Sequence, residues 1–367
     1  MVVYAVDVGG ATLKHGAVSA ATYSVSPNYV RMNAKQHAVQ IRRPIERGYV
    51  VNWTLQGDLW QDHLSVNQDT TLVVTSPLFT PEKLRNMQDE VVFEEFQMAA
   101  YTSVPPQAMV PHASSSNHGV SFPYCVVVDV GFSATQIVPL VHGHVVLAGV
   151  RRLNVGGKLL TNYLKECVSL RQWNMMDAFE VVNEVKEAVC RCSLDFHTDM
   201  QHYANHETAS VQWALPDFVH AHRGALDPIS PPAPDAQILR LGVETIAIPE
   251  VLFHPSDIGL DQAGLAAGIV DAISACDVHL HGLLFQHIVV TGGTSKLPAF
   301  VDRLRADLRP LVPDEYAVLI TLVDDPIGAA WRGCQRYAST PDCAARVVTK
   351  AEYLEHGSTL CRDRFLG

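Results

Sequence analysis

A chain of 367 residues and 40.2 kDa is too long for one compact domain and long enough for two lobes with sizeable cores. Apolar residues make up 48% of it, charged residues 18%, and the mean hydropathy is +0.08, which excludes a disordered tail, a collagen and a coiled coil. A net charge of −11 with a pI near 5.8 argues against broad, autonomous nucleic-acid binding, because phosphate contacts need clustered Lys and Arg, so any role near DNA would come through partners.

The chain opens on an apolar β-branched run from Val2 to Val8, closing in Asp7-Val8-Gly9-Gly10 and resuming from Ala11 to Val18, with Lys14 on the second arm. This reads as strand, tight turn, strand. A start without a basic n-region is no signal peptide, and no run reaches the roughly 18 uncharged apolar residues of a membrane span, so the expected location is cytosol or nucleus. Arg31, Lys35, Arg42, Arg43 and Arg47 form the densest positive stretch of an acidic chain: a solvated face, or a contact for an acidic partner or DNA phosphate.

Pro81-Glu82 opens a helix with apolar Leu84, Met87, Val91 and Val92, and Pro111 to Gly119, rich in Ser, reads as a surface loop. Near residue 125 the opening pattern returns as Cys125 to Gly131, with Asp129-Val130-Gly131, followed by Phe132 to Pro139. Two copies of strand, Asp-x-Gly, turn and strand about 120 residues apart point to a duplicated α/β lobe with a cleft between the copies. Helices follow Gly156-Gly157 (Leu159, Leu160, Tyr163, Leu164) and Asp177 (Phe179, Val181, Val182, Val185, Val189). The eight cysteines are scattered; Cys190 and Cys192 form a C-x-C in a helical pattern, indicating neither a disulfide scaffold nor structural zinc, so reduced thiols are expected. His197, His202 and His206 have loose helical spacing without a carboxylate or Cys cluster, which favours surface histidines over a metal site. Asp227 to Asp235, rich in Pro, reads as a loop within a lobe. A third strand, His287 to Thr291, runs into Gly292-Gly293-Thr294 and a helix. Trp53, Trp60, Trp173, Trp213 and Trp331 read as core or partner anchors.

Small residues at strand ends let backbone amides approach a phosphate, and Gly9-Gly10-Ala11, Gly131 and Gly292-Gly293-Thr294 each supply one such turn. Asp7 and Asp129 suit Mg²⁺ held through water, and Lys14 suits a β- or γ-phosphate. These residues resemble the actin family end to end: Asp7-Val8-Gly9-Gly10 resembles its first phosphate loop, Asp129-Val130-Gly131 its second, and Val290 to Ser295 its adenosine loop. Gly48 to Trp53, Pro249 to Pro255, and Glu352-Tyr353 with Gly357-Ser358 (the C-terminal helix) resemble further actin segments. Phe93 to Gln97, Arg152 to Glu166 and Leu215 to Phe218 resemble the sixth class of nuclear actin-related proteins.

The resemblance implies an actin-like α/β fold of two duplicated lobes around a nucleotide cleft. The first lobe would take residues 1–119 and 330–367, with a short second subdomain at about 24–46. The other lobe would take 120–329: subdomain 3 at about 120–155 and 250–329, subdomain 4 at about 156–249. It implies ATP or ADP with Mg²⁺ in the cleft, Lys186-Glu187 at the adenosine pocket and Gly157-Lys158 at a ribose-side turn; without the family, Lys186-Glu187 reads as a solvated charge pair. It also implies a nuclear location, with a cytoplasmic pool allowed, and a scaffold role in a SWR/SRCAP-type remodelling complex that exchanges a variant histone. The partners would be a remodeller ATPase, a zinc-finger HIT-type subunit and, through the complex, the nucleosome.

The departures from actin matter as much. Phe132 and Gln136 replace the carboxylate and imidazole of the second phosphate loop, the water-orienting glutamine falls at Pro106 or at neighbouring Gln107, and Arg47 replaces a modified histidine. The expectation is therefore no ATP turnover and, with a short second subdomain, no filaments. The alternative is a working ATPase of the same superfamily with a cytoskeletal role.

Overall fold

A computed structural model describes residues 2–33, 39–113, 122–205, 210–216, 223–226 and 237–366. In chain order the first part holds β1 (Val2–Val8), β2 (Thr12–Ala17), β3 (Ser24–Pro27), the hairpin β4 (Val30–Asn33) and β5 (Val39–Arg42), and the short pair β6 (Ile45–Glu46) and β7 (Tyr49–Val50). Then come α1 (Trp53–His63), β8 (Thr70–Thr75), α2 (Glu82–Glu90), β9 (Ala100–Val104) and α3 (Pro106–Ala113). The second part begins with β10 (Tyr124–Val130), β11 (Thr135–Val141), β12 (His144–Val145) and β13 (Arg151–Leu153), and continues through α4 (Gly157–Arg171), α5 (Phe179–Val189) and α6 (Phe196–Asn205). A small sheet of β14 (Val211–Ala214), β15 (Ala225–Leu226) and β16 (Ile238–Leu241) precedes α7 (Glu244–Glu250), α8 (Leu265–Ser274), α9 (His281–Phe285), β17 (Ile288–Thr291), α10 (Phe300–Leu308) and β18 (Ile320–Leu322). The chain ends with α11 (Ala329–Tyr337), α12 (Pro341–Arg346), β19 (Val348–Thr349), α13 (Lys350–His356) and α14 (Ser358–Leu366).

Two mixed sheets organise these elements. One runs β19-β9-β8-β1-β2-β3, the other β12-β11-β10-β17-β18 with β13 paired to β11. Each is centred on the same device: a buried strand (β1, β10) antiparallel to its hairpin partner (β2, β11) and parallel to a third strand (β8, β17). Both central strands are apolar runs rather than alternating ones, as burial on both faces demands. Their apolar side chains pack into three clusters, one per sheet and a third, with Ala5, Val73, Val127, Val289 and Trp331, shared between the sheets. In that shared layer α3 packs on α11 so closely that a Cβ at Gly333 would collide with the Met109 carbonyl. This is the two-lobe actin-like architecture, with the glycine turns of both sheets facing one cleft.

Several sequence expectations change. Pro111 to Ala113 are helical, because Gln107 to Val110 bury against α11 and extend α3 through the proline; residues 114–119 lie outside the described residues. The Pro-rich stretch at 227–235 also lies outside them. The C-x-C pair is not helical: α5 ends at Val189, Cys190 is extended, and the Arg191 and Cys192 amides donate instead to the Thr245 and Pro298 carbonyls. The C-terminal helix is two helices, broken at Gly357 with φ +66. All eight cysteines are unpaired. Trp53, Trp60, Trp213 and Trp331 are buried, whereas Trp173 is exposed and donates its indole N–H to the Ile238 carbonyl. No described helix is long and apolar enough to cross a membrane.

Candidate functional site

A cleft of about 1500 Å³ lies between the sheets, and its walls are the three glycine turns. In the first, the Gly9 amide donates to the Thr12 carbonyl, and a Cβ at Gly9 would sit 2.7 Å from Lys14 Nζ. Buried Asn28, bonded in turn to Gln56, donates to the Gly9 carbonyl and fixes the turn from below. In the second, the Gly131 amide donates to the Ala134 carbonyl, while the Gly131 carbonyl accepts from the Gly157 amide and from Thr294 Oγ1. A Cβ at Gly156 would come within 2.9 Å of three backbone atoms of this turn, so only glycine lets α4 begin there. The third turn needs Gly292, whose φ is +92 and whose Cβ would lie 2.7 Å from Asp129 Oδ1.

Strand register places the carboxylates. Asp7 faces Lys14 across β1 and β2, and Asp7 Oδ2 lies 3.0 Å from Lys14 Nζ while Oδ1 accepts from Thr75 Oγ1 at 2.8 Å. Lys14 thus lines the cleft with its ammonium on Asp7. Asp129 faces Gln136 in the matching register of β10 and β11. Its Oδ2 accepts from Gln107 Nε2 at 2.8 Å, and burial pushes its pKa up to about 6, against the opposing pull of the Gln107 hydrogen bond, with the Asp7 charge adding to the rise. Gln107, rather than Pro106, therefore carries the amide that meets Asp129, although both line the cleft. Gln107 Oε1 is buried without a hydrogen-bond partner among the described residues.

At the far end Lys186 is buried, not solvated: its Nζ donates to the Gly157 carbonyl, Thr161 Oγ1 and Asn183 Oδ1, and burial lowers its pKa. Because Thr161 and Asn183 receive the ammonium, Lys186 sits with Val182 and Val185 on the covered side of α5. Glu187 is exposed and accepts from Asn183. Of the remaining candidates, Gly10, Ala11, Phe132, Gly293 and Thr294 line the cleft; Lys158 does not, its amide being tied to the Phe132 carbonyl at 2.8 Å.

Across the mouth the sequence reading missed a set of contacts. Glu180 on α5 accepts from Arg31 Nε and Nη2 at 2.9 and 2.8 Å and from the Tyr29 hydroxyl, joining the β4–β5 hairpin to the opposite wall. Glu180 is also partly desolvated, yet these bonds hold its carboxyl below the usual range. Arg43 lies over the rings of Tyr29, Phe132 and Phe179 at 4.6, 4.7 and 5.4 Å. The basic stretch is therefore not uniform: Arg31, though exposed, pairs with Glu180 at the cleft mouth, Arg43 is half-buried in the cleft, Arg42 and Arg47 are exposed, and Lys35 lies outside the described residues. His197 and His202 stand on α6, His206 lies outside the described residues, and among the described residues no three His, Cys, Asp or Glu side chains gather around a common point. Glycine spacing signalled the turns; only facing registers and contacts 149 residues apart reveal the rest.

Comparison with known proteins agrees with this geometry. The family model "Actin" matches residues 7–366. The chain is 39% identical over 333 residues to "Actin-like protein ARP6" of Yarrowia lipolytica and 38% identical over 360 residues to "Actin-related protein 6" of Arabidopsis thaliana, in each case covering 89% of this chain and 85% of the relative. It is 35% identical to "Actin-related protein 6" of Drosophila melanogaster, covering 85% of this chain and 82% of that one. With the fold, the glycine turns and these relatives together, the chain belongs to the actin family, in the branch of its actin-related protein 6 relatives.

Proposed function

We propose that the chain is a non-polymerising actin-fold scaffold that binds Mg²⁺-ATP or Mg²⁺-ADP without turning ATP over at actin-like rates. The observation that carries this is the second hairpin, where Phe132 packs against Arg43 and Phe179, and Gln136 stands opposite Asp129. An aromatic ring and an amide accept no proton, so neither can serve as the base an attacking water needs. A nucleotide itself fits the cleft: glycine turns too tight for a Cβ present backbone amides, and Gln107 Oε1 is a buried acceptor without a donor among the described residues. Asp7 and Asp129 would hold Mg²⁺ through its waters, the Gly9-Gly10-Ala11 and Gly131-Phe132 turns the phosphates, and Gly157, Lys186, Glu187 and Gly292-Gly293-Thr294 the nucleoside. The ion, when bound, would neutralise phosphate charge.

Steady-state phosphate release by the purified chain tests the first half. We expect turnover far below that of a conventional actin; actin-like release abolished by Asp129→Ala would replace this reading with that of a working ATPase. The second reading has one observation in its favour, a carboxyl with a pKa near 6 beside Gln107.

The setting we infer is a nuclear SWR/SRCAP-type histone-exchange complex, with a remodeller ATPase and a zinc-finger HIT-type subunit as partners; its support is the family branch and the class-specific segments Phe93 to Gln97 and Arg152 to Glu166. Affinity purification with mass spectrometry should recover those subunits, and filament partners would contradict it. With Arg31 and Arg43 engaged at the cleft, we infer that exposed Arg42 and Arg47 carry the nucleosome contact of the basic stretch, and Arg42 tests it. Arg42→Glu should weaken nucleosome binding by the assembled complex and flatten its salt dependence while assembly stays intact; an unchanged salt slope returns Arg42 to a solvated face.

A further inference from the structure

Arg43 joins β5 to β6 on the first lobe and reaches the cleft from its rim. The rings of Tyr29, Phe132 and Phe179 lie around its half-buried guanidinium, and this partial loss of water lowers its pKa, although an arginine stays charged. It has no ion pair among the described residues: Glu180, the acid that its field reaches, is occupied by Arg31 and Tyr29. Its one hydrogen bond among the described residues is a weak one, from Nη1 to the Gly10 carbonyl at 3.5 Å. Aromatic rings occupy the faces of a guanidinium but leave its N–H edge to be satisfied in the plane, and a partly desolvated cation whose nearby carboxylate is already hydrogen-bonded to Arg31 and Tyr29 still favours an anion at that edge.

The missing anion can be placed. The Phe132 ring divides the cleft: a Cβ at Gly10 would meet its Cδ1 edge at 3.3 Å, and one at Gly157 its Cδ2 edge at 3.6 Å. Gly157 and Lys186 are therefore on one side, while Arg43 bonds to the first glycine turn on the other. Lys14, the other cation near that turn, is neutralised by Asp7. We propose that Arg43 is the ligand of the terminal phosphate of a nucleoside triphosphate, and that it makes this cleft prefer a triphosphate to a diphosphate. The assignment rests on the nucleotide-binding reading above, and it adds a residue that no glycine turn or carboxylate would have indicated.

Calorimetric titration of the full chain with Mg²⁺-ATP and Mg²⁺-ADP, for the wild type, Arg43→Gln and Arg43→Lys, tests it. A charge-assisted bond of this kind sets the scale at about tenfold. The wild type should bind Mg²⁺-ATP about tenfold or more tighter than Mg²⁺-ADP. Arg43→Gln should lose that preference, with affinity for Mg²⁺-ADP changed by less than about threefold, and Arg43→Lys should keep part of it. The nucleotide-free melting temperature separates loss of a ligand from loss of fold, and the lysine variant, which retains charge and stem, keeps the test decisive if the glutamine variant is unfolded. Equal losses for both nucleotides, or none, overturn the assignment while leaving nucleotide binding in place; a wild type that binds neither nucleotide overturns both.

Discussion

In the first hairpin the strand register sets Asp7 opposite Lys14 and the two side chains meet at 3.0 Å; in the second the same register sets Asp129 opposite Gln136. Backbone and turn are shared, yet one buried carboxylate has a counter-charge and a hydroxyl donor while the other has a single amide, and its pKa rises to about 6. The duplicated frame thus specifies where a carboxylate stands but not what meets it: a lysine from across the strands in the first hairpin, an amide from α3 in the second.

Removing the cation from the first hairpin should have the largest effect. Lys14→Met removes the cation from buried Asp7 and leaves it, among the described residues, the Thr75 hydroxyl, a change worth about 3 to 5 kcal/mol of stability. Urea denaturation at pH 7.5 should show it, whereas Gln136→Met, at the matching position where no side-chain hydrogen bond forms among the described residues, should cost less than about 1 kcal/mol. Equal losses at the two positions would break the comparison.

The second hairpin should show its state through pH. Since the folded pKa of Asp129, about 6, lies above the ordinary value near 4, the folded chain holds a proton that the unfolded chain has released between those values. Stability from this group therefore falls as pH rises from about 4 to about 6 and is level above. Asp129→Asn should be more stable than the wild type at pH 7.5 by up to about 3 kcal/mol, with the difference vanishing near pH 4. A wild type and variant that differ equally at both pH values would show that Asp129 is charged throughout.

Copying the first hairpin into the second sharpens the contrast. Gln136→Lys places an ammonium opposite Asp129, and it should flatten the slope between pH 4 and pH 6 and gain about 1 kcal/mol at pH 7.5. An unaltered slope would mean that register alone does not bring the pair together.

These pairings also mark what the sequence conveys. The Asp-x-Gly repeats and the glycine run at 292 are local signals, because a strand that must end in a tight turn writes its glycines where the turn is. Hence the duplicated lobes, the turns and most helices were legible. Without the family resemblance the burial of Lys186 was not: a Lys-Glu pair in a helix looks solvated until Thr161 and Asn183 are seen to receive the ammonium. Nor were Arg31 and Arg43, whose partners are set by the approach of two walls distant in the chain. A run of cations gives no sign of which will turn inward.

The shared layer beneath the cleft bears on the order in which the molecule is built. Trp331 on α11 donates to the Ala5 carbonyl 326 residues earlier, and β19 completes the sheet that β1 begins. During synthesis at about 5–20 residues per second, β10 through β18 would emerge and associate while the opening strands still lack their closing partner. The lobe that is translated first is thus the last to be finished, and until α11 arrives its apolar underside, with Ala5, Val73 and Val104, stands open to whatever in the cell binds nascent chains.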